Sequence, residues 1–285
     1  MAERDSSTTA LRVAQLRAAH QLIDGEPKIL HDPVVLRLLG NGAEQQILAN
    51  TAALNMPWLL GLRSHVLLRS RFAEEELAQA VARGVNQYVI LGAGYDTFAY
   101  RQPPWAENLR IFEVDHPASQ RAKRDRLTVA GIAMPRNVEF VAIDFEHVSL
   151  RDGLAANRLD FRQPAFFSCL GVLVYLTQEA ADGIFRLVAS FPGPSEIVFT
   201  FSMPDSSLGV REAARRTAVA ALAESMGEPW RTHFDPETLV QKLRAFGFSE
   251  ISFLSAAEAE RKYFQGRTDG LRPPRREQVA WAMRR

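Results

Sequence analysis

The stretch Gln87-Tyr88-Val89-Ile90-Leu91-Gly92-Ala93-Gly94-Tyr95-Asp96-Thr97 decides the fold of this chain, because it joins an apolar run to a glycine-rich turn. Residues 88–91 form a continuous apolar run, which is typical of a strand buried on both faces of a parallel sheet. Gly92 and Gly94 follow directly, and glycines let a backbone turn tightly and approach a ligand. The turn is therefore a candidate binding site, although a glycine pair alone is equally compatible with an ordinary strand-to-helix turn.

Strands and helices alternate on the carboxyl side of this turn. Strands that alternate with helical stretches predict a mostly parallel α/β sheet. The further predicted strands lie at 109–114, 138–143, within 165–176, and at 196–201, 251–254 and 279–283. The predicted helices lie at about 117–130, 178–190 and 235–247.

The first 85 residues have a different character. Apolar residues follow helical spacing in residues 9–23, and a second helical stretch covers about 66–83, where Gly84 is a natural stop. We expect residues 1–85 to be a helical cover that belongs to the same domain as a core of residues 86–285. An insert is expected near 205–233, and the basic, proline-containing stretch 261–276 predicts a surface loop.

Composition narrows the class of protein. The 285 residues are 47% hydrophobic and 24% charged, with a formal net charge of +1, which gives no reason to expect nucleic acid as a partner. The single cysteine, Cys169, excludes an internal disulfide framework and a cysteine-rich metal site. No apolar run reaches transmembrane length, and the first ten residues lack the apolar core of a signal peptide. We expect a cytoplasmic protein with no membrane partner and no metal.

Aspartates end the second and third predicted strands. Asp115 stands 21 residues after Gly94 and can accept hydrogen bonds from both hydroxyls of a ribose. Asp144 can accept one from an adenine amino group, with Phe145 stacked nearby. Either aspartate alone could be a helix cap or turn residue, but signals on three successive strand ends favour a ligand that contains adenosine.

The identity of that ligand depends on Thr97 and on two arginines. The dinucleotide fingerprint requires glycine where Thr97 stands, which weakens a nicotinamide interpretation. S-adenosylmethionine has no phosphates, but its carboxylate needs a partner. Arg69 and Arg71 precede the first strand, and an arginine can hold a carboxylate by two parallel hydrogen bonds. The alternative for either is a surface ion pair with a glutamate in 74–76.

Four motifs together resemble the leucine carboxyl methyltransferase family, in particular its bacterial branch of small-molecule methyltransferases. They are residues 87–97 with Tyr100-Arg101, residues 112–117, residues 171–177, and residues 263–264 with 266–271. The resemblance extends from about Arg17 onward. It implies a class I methyltransferase fold, which is a Rossmann-like, seven-stranded and mostly parallel sheet with helices on both faces and a helical N-terminal cover. It also implies S-adenosylmethionine as the methyl donor.

The resemblance also implies roles for individual residues. Arg71 would hold the donor carboxylate. On a loose alignment, Arg17 takes the place of a lysine that the eukaryotic members have near that carboxylate. Leu170 stands where those members carry a glutamate that contacts the donor, which argues against a protein-phosphatase carboxyl methyltransferase role. The other implied donor contacts are Gly92, Ala93 and Gly94 at the methionine part, Asp115 with His116 at the ribose, and Asp144 with Phe145 at the adenine.

The sequence gives weaker evidence about the residues that would bind the methyl acceptor. Methyl transfer is an in-line displacement that depends on alignment of the reacting groups. A carboxylate acceptor is already ionised, whereas a hydroxyl would use a general base, most often a histidine. Tyr175, near the end of the fourth strand, is a candidate catalytic residue that could hydrogen-bond the acceptor oxygen, with core packing as its alternative. Other candidates, each compatible with a purely structural role, are His116, His233, Trp58, Trp230 and Phe234.

The sequence therefore predicts an S-adenosylmethionine-dependent O-methyltransferase that acts on a carboxylate or hydroxyl of a small-molecule acceptor. Two alternatives stay open at this point. A non-catalytic member that only binds the donor is compatible with the departure at Leu170. A nicotinamide-dependent oxidoreductase is compatible with the sheet, although Thr97 speaks against it.

Overall fold

The computed structural model describes residues 8–144, 149–204, 229–274 and 278–285, together with 209, 217, 220, 221 and 224. Its strands are β1 Gln87–Leu91, β2 Arg110–Asp115, β3 Val138–Ala142, β4 Phe166–Cys169, β5 Ser195–Thr200, β6 Glu250–Phe253 and β7 Val279–Arg284. They form one seven-stranded sheet in the order β3-β2-β1-β4-β5-β7-β6. The first five strands are parallel, and β7 runs antiparallel to both β5 and β6. The predicted fold class is confirmed.

Helices precede the sheet and alternate with its strands. They are α1 Thr8–Ile23, α2 Val35–Leu39, α3 Ala43–Ala49, α4 Thr51–Leu54, α5 Pro57–Ala82, α6 Pro117–Val129, α7 Leu150–Ala155, α8 Gln178–Ala189, α9 Pro236–Phe246 and α10 Ala256–Ala259. Helix α5 is longer than the sequence predicts, because it begins at Pro57, a residue suited to the first helical turn. Gly84 has a φ of 98°, in the left-handed region, and stands just beyond the end of α5. Among the described helices, none combines the length and apolar character needed to cross a bilayer.

The core has a layer on each face of the sheet. Alternate residues of β1 point to opposite faces: Val89 and Leu91 join the layer that contains α8, and Tyr88 and Ile90 join the layer that contains α5. Both layers are buried, which explains why β1 is apolar throughout. Helices therefore cover both faces, as predicted. The predicted insert near 205–233 falls largely outside the described residues.

Helix α5 is antiparallel to the parallel strands, so its carboxyl end lies near the starts of these strands and its earlier turns lie near their carboxyl ends. Near its carboxyl end, Nη2 of Arg83 lies 2.6 Å from Oε1 of Glu196, at the start of β5. Farther back, Arg69 lies against Gly171, which follows the end of β4. The amino-terminal part of α5 therefore extends past the carboxyl edge of the sheet, where ligands of such folds bind.

The prediction of a surface loop at 261–276 is confirmed for residues 265–274, which have no regular secondary structure, but it is wrong for the start of the stretch. Helix α10 continues into a π-helical turn at Glu260–Phe264, and Phe264 and Leu271 are buried in the layer that contains α5. The basic residues dominate the composition of this stretch, but its few apolar residues face the core. Residues 275–277 lie outside the described part of the chain.

Candidate functional site

The glycine turn after β1 is held by its neighbouring strands. The N–H groups of Gly92 and Ala93 both donate to the carbonyl of Val114, at 2.8 and 3.0 Å, at the end of β2. Gly92 has a φ of +67°, and a Cβ there would lie 2.3 Å from Cγ2 of Val172. Backbone conformation and space therefore both require glycine at this position. The turn lies between the ends of β2 and β4.

Three of the predicted donor contacts come together beside this turn. One carboxylate oxygen of Asp115 accepts from the N–H of Gly94 at 2.5 Å, and the other accepts from the N–H of His116 at 2.7 Å. Nε2 of His116 lies 3.6 Å from Oδ2 of Asp144. Burial raises the pKa of Asp115, and the two backbone hydrogen bonds partly offset that effect. Phe145, the fourth predicted residue of this group, lies outside the described residues.

The helical cover is attached to the turn through the buried carboxylate of Asp32. Oδ2 of Asp32 accepts from the hydroxyl of Thr97 at 2.7 Å and lies 3.2 Å from Nε of Arg17. Nη2 of Arg17 donates to the carbonyl of Tyr95 at 2.5 Å. Thr97, which replaces the third glycine of a dinucleotide fingerprint, thus ties the turn to α1.

The two arginines of α5 have different surroundings in the structure. Nε of Arg71 donates to Oε1 of Glu75 at 2.7 Å, and its side chain is 45% exposed. This is the surface ion pair that the sequence offered as the alternative. Arg69 faces the sheet edge instead, and Nη1 would lie 2.6 Å from a Cβ at Gly171. The φ of Gly171 is +75°, so glycine here permits both the backbone conformation and the close approach of the guanidinium.

Arg69 is half-buried as a residue, and its guanidinium has no salt-bridge partner among the described residues. Its Nε atom is buried and makes no hydrogen bond within the described part of the chain. Burial lowers the pKa of Arg69 to about 10. Tyr175 and the carboxylate of Asp96 partly offset this effect, and the charge of Arg17 adds to it. The guanidinium is still a cation at neutral pH. A buried cation of this kind normally requires an anionic partner, so an anionic group of a ligand fits here.

The remaining predicted residues surround the end of β4. Leu170 packs against the core layer that contains α5 and offers no side-chain acceptor to a donor amino group. Tyr175 is half-buried and ends the 3₁₀ turn Leu173–Tyr175. Phe234 is buried in the core, as its alternative interpretation held, whereas Trp58 is 40% exposed, so core burial of Trp58 was wrong. His233 is half-buried.

His65 is a polar residue of this region that the sequence interpretation missed. Its Nδ1 atom is buried and, like Nε of Arg69, has no hydrogen-bond partner in the described residues. Burial, with a further contribution from the charge of Arg69, lowers the pKa of His65 to about 3. Helical spacing could have revealed it, because positions 65, 69, 73 and 77 form one i, i+4 row, and Ala73 and Leu77 are buried.

The depressed pKa of His65 predicts a pH dependence of stability. Its pKa is lower in the folded than in the unfolded chain, so the unfolded chain binds more protons as the pH falls below 6.5. The stability contributed by the neutral imidazole is therefore present above pH 6.5 and is lost on acidification. We expect the unfolding free energy of the parent chain to fall more steeply between pH 7 and pH 4 than that of His65→Asn. Urea titrations at several pH values measure this, and parallel profiles would contradict it.

Comparisons with known proteins agree with this geometry. The family model for leucine carboxyl methyltransferase matches residues 10–189. YktD of Bacillus subtilis is 30% identical over 292 aligned residues, which cover 95% of each chain. A protein of Mycolicibacterium paratuberculosis is 29% identical over 241 residues, 80% of this chain and 74% of that protein. Both carry provisional names as S-adenosyl-L-methionine-dependent methyltransferases.

Solved structures show the same fold. A protein from Thermobifida fusca, provisionally described as a methyltransferase, superposes with a TM-score of 0.58 at 16% identity, covering 100% of this chain and 97% of that one. A DUF574 family protein from Streptomyces avermitilis gives 0.57 at 17% identity, covering 98% of both chains. The family match and the full-length relative confirm the resemblance seen in the sequence motifs. This chain belongs to the leucine carboxyl methyltransferase family and is an S-adenosylmethionine-dependent methyltransferase.

Proposed function

We propose that this enzyme transfers the methyl group of S-adenosylmethionine to a carboxylate or hydroxyl oxygen of a small molecule. The observation that carries the proposal is the guanidinium of Arg69 beside Gly171, whose buried Nε atom has no hydrogen-bond partner in the described residues. The donor has a carboxylate at one end and an adenosine at the other. A cation at the end of β4 and carboxylates at the ends of β2 and β3 match these two ends of the molecule.

The described residues fit the donor as follows. Arg69 would bind the donor carboxylate, in place of Arg71, because Arg71 is already paired with Glu75 at the surface. Asp115 would accept hydrogen bonds from the ribose hydroxyls. Asp144, near His116, would lie toward the adenine. The roles of Phe145 in stacking and of the backbone of residues 92–94 at the methionine part stay predictions from the family resemblance.

The bound donor supplies an electrophilic methyl group on a sulfonium. The protein's part is to align the acceptor oxygen with that methyl group, which removes an entropic barrier, and to exclude water. The buried contacts of Arg17, Asp32 and Thr97 hold α1 over the turn and serve the exclusion of water. We propose that Tyr175 hydrogen-bonds the acceptor oxygen, because it lies at the end of β4 near Arg69.

Calorimetry followed by a turnover screen tests this function. S-adenosylhomocysteine should bind with one molecule per chain, and labelled methyl groups should appear on carboxylic acids or hydroxyl compounds. Amines and thiols of the same carbon frames serve as comparison acceptors. Absence of binding at millimolar concentration would contradict the donor site, and methylation of amines or thiols alone would contradict transfer to oxygen.

Replacement of Asp115 by alanine should weaken donor binding without unfolding the chain. Loss of the carboxylate leaves ribose hydroxyls and the N–H of Gly94 without a partner, which costs about 1–3 kcal/mol, or about 5- to 150-fold in Kd. The measurement is calorimetry with S-adenosylhomocysteine. Asp160→Ala is the control, because Asp160 bonds Gln87 at the opposite edge of the sheet. Equal affinities of Asp115→Ala and the parent chain would place the ribose elsewhere.

A further inference from the structure

Two side-chain nitrogen atoms near the proposed donor site are buried and have no hydrogen-bond partners in the described residues. They are Nδ1 of His65 and Nε1 of Trp230. His65 lies on α5, one helical turn before Arg69, which contacts the position of Gly171. Trp230 precedes Arg231, whose N–H donates to the carbonyl of Val174 at 2.7 Å. Helix α5 and the segment before α9 therefore both pass close to the chain that follows β4.

His65 lies farther from the sheet than Arg69 does. Helix α5 is antiparallel to the strands, and one turn of an α-helix rises about 5.4 Å. If Arg69 binds the donor carboxylate, His65 stands on the outer side of the donor site, toward the amino-terminal helices. An acceptor molecule must approach the methyl group from a side that the donor itself does not fill. This position leads us to assign His65 to the acceptor side of the site.

The charges of this region favour a neutral acceptor group. A buried carboxylate would need a cation of its own, in addition to the one that the donor carboxylate uses. Arg17 is paired with the buried carboxylate of Asp32. His65 is neutral at physiological pH, since burial and the charge of Arg69 lower its pKa to about 3. A hydroxyl group can donate to an imidazole nitrogen and accept from an indole N–H, so it would satisfy both unpaired nitrogens. Its second lone pair attacks the methyl group, so a hydrogen bond from Tyr175 to this oxygen would be an alternative to the one from Trp230.

We propose that the acceptor is a hydroxyl compound whose oxygen lies between His65 and Trp230, with Nδ1 of His65 accepting first its hydrogen bond and then its proton. This inference rests on the proposed function and narrows its acceptor class. In the transfer, the acceptor's O–C bond forms as the methyl C–S bond breaks, and the sulfonium becomes a neutral thioether. The hydroxyl proton moves to Nδ1 and leaves from the imidazolium to water. Because that proton becomes strongly acidic as the O–C bond forms, a weakly basic imidazole can accept it.

A screen of matched acceptors tests the class. Hydroxyl compounds and carboxylic acids that share the same aromatic or aliphatic frame are incubated with enzyme and labelled donor. We expect kcat/KM to be at least about tenfold higher for the hydroxyl member of each methylated pair. Preference for the carboxylic acids would overturn the proposal, and so would absence of methylation in both classes while S-adenosylhomocysteine binds.

Variants of His65 test its role. Asn at position 65 retains a hydrogen-bonding side chain but cannot take a proton, so His65→Asn should lower kcat by about 100-fold or more. Its Kd for S-adenosylhomocysteine should stay within about twofold of the parent value, because His65 does not contact the donor. His31→Asn, at an exposed histidine of the same helical region, is the matched control. A kcat of His65→Asn within threefold of the parent value would overturn the role of His65.

A spectroscopic readout that does not depend on turnover completes the test. With S-adenosylhomocysteine bound, the best hydroxyl acceptor should shift the imidazole ¹⁵N resonance of His65, and its matched carboxylic acid should not. An unchanged resonance at saturating acceptor would overturn the proposed contact. Failure of S-adenosylhomocysteine to bind the parent enzyme would contradict the proposed function and this inference with it, and calorimetry distinguishes that failure from the others.

Discussion

Replacement of Arg69 by methionine is expected to weaken S-adenosylmethionine binding by about 100-fold. Removing one partner of a buried, hydrogen-bonded charge pair costs about 2–5 kcal/mol, much of which is the penalty of leaving the other charge buried and unpaired. Methionine keeps most of the length of the side chain and removes only the charge and its donors. Calorimetry with the donor and with S-adenosylhomocysteine measures the loss.

Arg71→Met is the matched control for this prediction. Arg71 lies two residues away on the same helix, but its side chain is 45% exposed and paired with Glu75. Its replacement should change donor affinity by less than about threefold, since exposed ion pairs contribute little. A larger loss in Arg71→Met than in Arg69→Met would restore the assignment that the family resemblance implies and contradict ours.

Although Arg69→Met should weaken donor binding, it should not lower the stability of the ligand-free protein. Without ligand, the guanidinium of Arg69 is a buried charge with no salt-bridge partner in the described residues, which destabilises the fold. The Tm of the ligand-free variant should therefore equal or exceed that of the parent chain. A marked fall in Tm would indicate that Arg69 has a structural role, and loss of donor binding could then not be assigned to the missing charge alone.

Replacement of Asp24 by alanine is expected to lower the unfolding free energy by about 3–5 kcal/mol, the range for breaking a buried ion pair from one side. The carboxylate of Asp24 accepts from Nη2 and Nε of Arg63 at 2.7 and 2.9 Å and contacts Nδ1 of His20 at 2.8 Å. The side chains of Asp24, Arg63 and His20 are at most 1% exposed. Without Asp24, the charge of Arg63 would stay buried with only neutral acceptors.

Urea unfolding measures this loss, and Lys262→Ala is its control. Lys262 forms an i, i+4 pair with Glu258 on an exposed helical surface, with its side chain 44% exposed. Breaking such a pair should cost about 0.5 kcal/mol or less. A loss in Asp24→Ala no larger than that of Lys262→Ala would show that the cluster does not hold α1 to α5.

The same experiment bears on domain organisation. We propose that residues 1–85 and 86–285 unfold as one unit, because the buried side chains of α5 form a common core layer with β1, β4 and β5. Asp24→Ala should then shift one cooperative transition detected by both far-ultraviolet circular dichroism and tryptophan fluorescence. Two transitions, with only the first one shifted, would show that the helical cover unfolds independently.

Much of the donor site could be predicted because its signals are local. The apolar run of β1, the glycines that end it, and the aspartates at the ends of β2 and β3 are each readable within a few residues. Parallel strands bring their carboxyl ends to one edge, so Asp115 and Asp144 come close to Gly94 without any further information. Helical spacing also indicates which arginine of α5 faces inward. Arg69 and His65 lie in the same i, i+4 row as the buried residues Ala73 and Leu77, and Arg71 does not.

The sequence by itself determined the sheet, the helical cover and the sheet edge at which we propose that the donor binds, because periodicity and turn chemistry act over short distances along the chain. Only the tertiary structure decided which charges are paired. Asp32 meets Arg17 and Thr97, Arg71 meets Glu75, and Arg69 is left beside Gly171. Pairing and burial depend on contacts between distant parts of the chain, and these contacts also bury Phe264 and Leu271 of the basic stretch in the core.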